Sequence, residues 1–297
     1  MLTRENYQGV KEAWCPGCGN FGILNAVKKA LVDLQLPPER ILMVSGIGQA
    51  SKFPHYLRCN FFNGLHGRAL PVAVAAKIAN PEMTVIVHNG DGDCYGEGGN
   101  HFLHSIRRNA DITCIVHNNK VYGLTKGQAS PTSDRGYKTK VQLHGVINEP
   151  FNPLSIAIAM DCSFVARGYA ADMNYLVELI KKGIQHKGFS LIDILQPCPT
   201  FNHVNTFKWY QERVYHLEED REFDPGNQLK AFHRAQEWGE RIPLGVFYTH
   251  RKPTFEEQTP VLQVGPLYRQ KIQPNKVQGI MEEFFAVPIE KPWLRQR

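Results

Sequence analysis

The chain has 297 residues, a 42% hydrophobic fraction and a formal net charge of +6, enough length and apolar content for one large domain or a domain with a substantial extension. The modest charge is scattered without a dense basic tract, which argues against nucleic acid and leaves acidic ligands or an acidic protein partner. The opening MLTRENYQGV lacks the apolar core of a secretion signal, and apolar stretches such as ALPVAVAAKIA fall short of the roughly 20 residues that span a bilayer, so a soluble cytoplasmic protein with no membrane segment is expected.

In chain order, the first motif is WCPGCGNFGILNAVKKAL (14–31), which sets Cys15 and Cys18 three residues apart at the head of an apolar-periodic helix over 20–34. Seven cysteines, an odd number without an export signal, point away from a disulfide framework and toward metal or redox chemistry. Two such thiols are half of a tetrahedral metal site, and their spacing alone suits zinc and iron–sulfur equally. Apolar β-rich runs then alternate with helical patterns. The strands are ILMVS (41–45), TVIVH (84–88), ITCIVH (112–117), SFVARGY (163–169) and LIDILQ (191–196); further helices are predicted at 67–79, 98–109 and 172–186, the last with Asp172 or Asn174 as candidate cap. This alternation predicts an α/β fold, a mostly parallel sheet covered by helices. After Pro197 charge, aromatics and proline increase, so residues 1–200 read as the binding domain and 201–297 as a C-terminal extension. Its end, RQKIQPNKVQGIMEEFFAVPIEKPWLRQR, reads as an extended arm packing on the domain or on a partner.

The most informative segment is VIVHNGDGDCYGEGGNHF, where a buried strand ends in Gly90-Asp91-Gly92 and a helix starts within a few residues. Ligands of open α/β sheets sit at the carboxyl ends of strands, where glycines admit a phosphate and helix N-termini favour anions. Asp91 is a hard oxygen ligand. Twenty-eight residues on, just past the next strand, HNNKVYGLTKGQ offers Asn119 and the free carbonyls of a kinked loop. One Asp, one Asn, a backbone carbonyl and phosphate oxygens make an octahedral magnesium site. A lone GDG is a tight turn; GDG followed by NN, each after its own strand, is far more specific.

This spacing resembles the thiamine diphosphate signature. With GLHGRALPVAVAAKIANPEMTVIVHNGDGD, GGNHFLHSIRRNADIT and NNKVYGLTKGQASPTS, the chain resembles the beta subunit of the 2-oxoacid:ferredoxin oxidoreductases over about residues 10–205, and more weakly through DPGNQLKAFHRAQEWGERIPLGVFY. The resemblance implies the diphosphate-binding type of thiamine fold, with thiamine diphosphate, magnesium and one four-iron four-sulfur cluster. It makes Asp91, Asn119 and the carbonyl of Val121 magnesium ligands. Gly90, Gly92 and Asp93 would line the diphosphate, with Leu124 also in the cofactor pocket and His66 and Arg68 approaching it. Lys126 would meet the carboxylate of a 2-oxoacid, and Lys52 matches another lysine near the active site. For the two lysines the alternative is an unpartnered surface residue; for His66 and Arg68 it is a polar brace between loops.

The implied chemistry is decarboxylation of a 2-oxoacid, one-electron transfers through the cluster to ferredoxin and capture of the acyl group by coenzyme A, reversible as reductive carboxylation. Only one thiamine-type sheet is legible, so the glutamate that activates the cofactor must come from an alpha subunit with the pyrimidine-binding domain; gamma or delta components are further candidate partners. The oxoacid is expected to be 2-oxoglutarate or one of a broad range, with pyruvate as an alternative. Cluster ligands implied by the resemblance are Cys15, Cys18 and Cys198, the last in QPCPTF. The family's remaining cysteine belongs in a GIGC loop, which here reads SGIGQAS, with Gln49 in that place. Cys59, ten residues on in HYLRCN, is expected to replace it, ahead of a Gln49 or water ligand or a lost cluster. Cys94, Cys114 and Cys162 read as buried apolar cysteines. The rival functions are a non-oxidative thiamine diphosphate decarboxylase or synthase and a zinc-stapled interaction subunit.

Overall fold

The computed structural model describes residues 1–271 and 274–284. Its centre is one eight-stranded sheet in the order β2-β1-β3-β4-β8-β7-β10-β9. The strands are β1 (Ile41–Ser45), β2 (Asn60–Asn63), β3 (Thr84–Gly90), β4 (Ile112–Asn118), β7 (Phe164–Tyr169), β8 (Ser190–Leu195), β9 (Val214–His216) and β10 (Ile242–Thr249), with β5 (Val121–Tyr122) and β6 (Gln128–Ala129) forming a separate small hairpin. From β2 to β7 every neighbouring pair is parallel; β10 runs antiparallel to β7, and β9 runs parallel to β10.

The strands are apolar on both faces because helices cover both. On one face Ile41, Met43, Ile86, Ile115, Ala166, Ile192 and Ile194 pack under α1 (Asn20–Asp33) and α5 (Met173–Gln185). On the other, Val44, Val85, Val87, Cys114, Val116, Val165 and Leu191 meet α2 (Ala69–Ala79), α3 (Gly99–Arg108) and α4 (Pro153–Ala159). Successive residues of a strand thus alternate between two cores, the period-two pattern of a pleated strand. Among the described residues no helix is long and apolar enough to cross a membrane.

All five expected strands and all four expected helices are present, with no end moved by more than two residues. Asp172 occupies the N-cap position of α5 but caps nothing: its carboxylate lies 2.7 Å from His216 Nε2. The stretch after residue 200 supplies β9 and β10 to the same sheet. In the C-terminal arm, Pro274–Phe284 is helical rather than extended; residues 272–273 and 285–297 of that arm lie outside the described residues.

The order of the sheet fixes where a ligand can go. The chain leaves β1 toward β2 on one side and toward β3 on the other, so the crevice between the carboxyl ends of β1 and β3 is the switch point where open α/β sheets bind ligands.

Candidate active site

A cavity of about 80 Å³ opens at that crevice, lined by the loop after β1 (Ile47, Gly48, Gln49, Ala50), the loop after β3 (Gly90, Asp91, Gly92, Asp93), the loop after β4 (Asn119, Val121 to Thr125) and His66. Eight of the residues expected around the cofactor are therefore together: His66, Gly90, Asp91, Gly92, Asp93, Asn119, Val121 and Leu124. Lys52 is half-buried, and Arg68 and Lys126 are exposed; none of the three lines the cavity. Lys126 sits at a φ of 81° beside Gly127, in the turn that folds β5 onto β6. Arg68 Nη1 donates to the carbonyl of Glu97 at 3.5 Å.

Asp91 is 1% exposed. Its Oδ2 accepts hydrogen bonds from Ser130 Oγ at 2.5 Å and Thr132 Oγ1 at 2.6 Å, while Oδ1 takes no side-chain partner among the described residues. Burial outweighs these bonds and pushes the carboxyl up to about 6, with the charge of Asp193 adding to the rise. A desolvated carboxylate held by hydroxyls on one oxygen is suited to a cation on the other. Asn119 is oriented as a ligand must be. Its Nδ2 donates to Gln196 Oε1 at 3.0 Å and its Oδ1 accepts from the N–H of Val121 at 3.1 Å, so the oxygen is fixed and keeps a free lone pair. These residues fit magnesium and a diphosphate.

Gly92 begins a π-helical turn (Gly92–Glu97), where a Cβ would lie 2.2 Å from the Tyr122 ring; no side chain fits. Asp93 lines the cavity, yet its Oδ1 is engaged in joining loops: it accepts from the N–H groups of Ile47 (3.1 Å) and Gly67 (2.8 Å) and lies 2.7 Å from His66 Nδ1. His66 and Asp93 form a brace between loops as well as a wall. Ser130, Thr132 and Gln196 escaped the sequence reading, although the hydroxyl-rich SPTS at 130–133 was a usable signal.

A second cavity, about 40 Å³, adjoins the first and shares Gln49, Asn119 and Gly123 with it. Its remaining lining includes Trp14, Cys15, Cys18, Asn20 and the run Cys198 to Phe201. The thiols are close enough to influence one another. Burial pushes Cys18 up to about 11, with Cys198 and Cys15 adding to the rise, and Cys198 is raised by burial and by Cys15. Opposing this, the N–H groups of Phe201, Thr200 and Asn202 point at the Cys198 sulfur, and the N–H of Asn20 and Gln196 Nε2 (3.5 Å) at that of Cys18. Such N–H···S contacts stabilise thiolates bound to iron. Among the described residues no three His, Cys, Asp or Glu side chains converge on one point as ligands of a single ion do. The thiols instead line one wall, an arrangement that fits a cluster, where each sulfur binds a different iron, better than a zinc staple, whose sulfurs all lie about 2.3 Å from one ion.

Cys59 is not on that wall. It immediately precedes β2, whose first residue, Asn60, pairs with Leu42 near the amino end of β1, and its nearest polar contact is the backbone of Met43. The cavities lie beyond the carboxyl ends, past Ser45, so about 10 Å of strand separates Cys59 from the corner it was expected to fill. Burial alone pushes its thiol up to about 12. Gln49, not Cys59, completes the lining with the three thiols. Cys94, Cys114 and Cys162 are fully buried, as expected. A roomier cavity, about 720 Å³, is lined by Phe164, His186 and Thr249 at the other end of the sheet and holds none of these residues.

The family of the thiamine pyrophosphate enzyme C-terminal TPP binding domain matches residues 45–194, and that of the C-terminal region of the pyruvate ferredoxin oxidoreductase beta chain matches residues 198–264. The 2-oxoacid:ferredoxin oxidoreductase subunit beta of Saccharolobus solfataricus is 50% identical over 82% of this chain and 84% of its own. The 2-oxoglutarate synthase subunit KorB of Methanocaldococcus jannaschii is 38% identical over 82% of this chain and 90% of its own. Among solved structures, a 2-oxoglutarate:ferredoxin oxidoreductase from Magnetococcus marinus, with 2-oxoglutarate, coenzyme A and succinyl-CoA bound, superposes with a TM-score of 0.88 at 32% identity, covering 94% of this chain and 96% of that one. A thiamine-type sheet with GDG and NN at adjacent strand ends, continuous with the family's C-terminal region, places the chain among the beta subunits of the 2-oxoacid:ferredoxin oxidoreductases.

Proposed function

We propose that the chain, joined to an alpha subunit, performs the coenzyme A-dependent oxidative decarboxylation of a 2-oxoacid, 2-oxoglutarate being favoured, and passes the electrons through an iron–sulfur cluster to ferredoxin. The observation that carries this reading is the shared wall: Gln49, Asn119 and Gly123 line both cavities, so a cofactor in one has an electron acceptor beside it in the other. Bound thiamine diphosphate supplies the electron sink for decarboxylation, and a cluster takes the electrons one at a time. Asp91, Asn119 and the carbonyl of Val121 hold magnesium; Ser130 and Thr132 fix the carboxylate that anchors it. Gly90 and Gly92 admit the diphosphate, and the Asp93–His66 brace keeps three loops in register around it. Cys15, Cys18 and Cys198 hold the cluster.

The site is incomplete in one chain. An 80 Å³ cavity is well below the roughly 300–1,000 Å³ of a small-molecule site; it seats the metal and diphosphate end and leaves the pyrimidine and the oxoacid to walls from the alpha subunit. Lys126, exposed at the rim of the loop after β4, meets the oxoacid carboxylate once those walls are in place, and Lys52 and Arg68 act from outside the cavity. The preference for 2-oxoglutarate is supported by the KorB relatives and by the superposed oxidoreductase. The same steps run in reverse with reduced ferredoxin. The test is ferredoxin reduction with 2-oxoglutarate and coenzyme A, by the chain alone and with its alpha subunit. Turnover only in the complex is expected; substantial turnover by the isolated chain overturns the split site, and no turnover by the complex with any 2-oxoacid overturns the reaction.

A further inference from the structure

Gln49 stands where the two cavities meet, and its position is built rather than incidental. The Trp14 indole Nε1 donates to its carbonyl at 2.8 Å, and its backbone, at φ −70° and ψ −35°, leads into the 3-10 stretch Ala50–Tyr56. A Cβ on Gly123 would lie 4.0 Å from Gln49 Cγ, so the side chain runs along the shared wall. Its carboxamide, half-buried in the lining it shares with the three thiols, has no protein hydrogen-bond partner among the described residues and is free to take one. No fourth cysteine among the described residues lines the cavity. Cys94 and Cys114 face each other in the core. Cys162 is packed against the carbonyls of Phe164 and Phe189 at 3.4 and 3.6 Å. Cys59 is at the amino end of β1.

We propose that the cluster is held by three thiolates, Cys15, Cys18 and Cys198, and that its fourth iron faces Gln49, bound by the carboxamide oxygen or by a solvent molecule which that oxygen orients, so that this iron is exchangeable. The inference rests on the cluster reading above. A thiolate is anionic and soft and binds iron covalently; a carboxamide is neutral and hard and gives a single weak bond. The iron at the Gln49 corner is therefore the first to leave. In that loss the four-iron core of charge 2+ gives a three-iron core of charge 1+, one ferrous ion and one electron, all four sulfides staying on the protein. The electron goes to a one-electron oxidant, such as ferricyanide; ferrous iron and a one-electron reductant, such as dithionite, reverse it. Because Gln49 also lines the diphosphate cavity, the exchangeable corner is the one turned toward the cofactor.

The test uses the complex with its alpha subunit, purified anaerobically, titrated with ferricyanide and followed by EPR and iron analysis. The wild type is expected to lose one iron in four and gain the near-isotropic signal of an oxidised three-iron cluster, both restored by ferrous iron with dithionite. Gln49→Cys should keep all its iron and stay silent under the same titration; Gln49→Ala should lose its iron and gain the three-iron signal at less ferricyanide than the wild type; Cys59→Ala should match the wild type. A wild type that keeps its iron and stays EPR-silent, with Gln49→Cys indistinguishable from it, overturns the proposal while leaving the cluster reading intact. So does an open corner created by Cys59→Ala alone. A colourless, iron-free complex overturns the proposal and the cluster reading together.

Discussion

The two cavities share three residues and are built in opposite ways. The diphosphate cavity draws nearly all its lining from three loops at adjacent strand ends, 47–50, 90–93 and 119–125, and its polar atoms are oriented by side chains placed for the purpose: Ser130 and Thr132 on Asp91, Gln196 on Asn119. The thiol cavity gathers residues 14–20, 49 and 198–201, which come together only when the first helix and the end of β8 have docked, and its sulfurs are satisfied mostly by backbone N–H groups. One site is a product of the local strand–loop pattern, the other of long-range closure. Their chemistry should then be separable by substitution even though they touch.

Asp91→Ala should have the largest effect. Removing the only carboxylate proposed on magnesium should lower thiamine diphosphate affinity by more than about 100-fold, beyond the usual ~10–100-fold cost of a residue that merely supports a ligand. Cofactor content after gel filtration in magnesium measures it, and iron content should not change. Cys198→Ala is the converse: iron and the visible absorbance near roughly 400 nm fall away while thiamine diphosphate stays at the wild-type level. Loss of both cofactors in either variant would break the contrast. Thr132→Val should be milder, about 10-fold in cofactor affinity, because Ser130 still binds Asp91 Oδ2.

A pH effect should strike both cavities together. His88 is fully buried, stacked on Phe53 at 3.8 Å, with its Nδ1 3.0 Å from His117 Nε2; burial first and His117 second hold its pKa well below the ordinary range. The unfolded chain therefore binds a proton that the folded chain refuses. Stability from this group is fully present above about 6.5, the unfolded value, and is lost progressively as pH falls below it. Urea midpoints at neutral and mildly acidic pH should show this loss, and His88→Gln should reduce it, leaving the part due to His117, whose pKa burial lowers to about 3. Cys59→Ala is the smallest effect expected: about 1 kcal/mol of stability from a lost packed side chain, with iron and absorbance unchanged.

How far each part could be read from the sequence follows from the same contrast. GDG and NN were legible because each motif is contiguous and ends its own strand. The five parallel strands were legible because both of their faces are apolar. β10 was not, since Pro243 and Gly245 in IPLGVFYT imitate a loop; β7 pairs only from Gly245 onward, so Pro243 lies beside β9 alone and its missing N–H costs the sheet nothing there. β2 was missed because all four residues of NFFN are exposed on a sheet edge. That omission explains the error at Cys59. Parallel pairing of β2 with β1 requires the chain to travel back to the amino end of the sheet between residues 50 and 59, and nearness to Gln49 in sequence concealed that return. The hydroxyls on Asp91 were hidden differently: Ser130 and Thr132 lie 39 and 41 residues along the chain from it.

The wall of Gln49, Asn119 and Gly123 also carries a thermodynamic obligation. Residues that belong to two binding sites make the two occupancies one linked equilibrium. Whatever factor a loaded cluster applies to the affinity for thiamine diphosphate, the cofactor must return to the affinity for iron. The separable substitution effects expected above set that factor near one, and one measurement of cofactor affinity with and without iron fixes it in both directions.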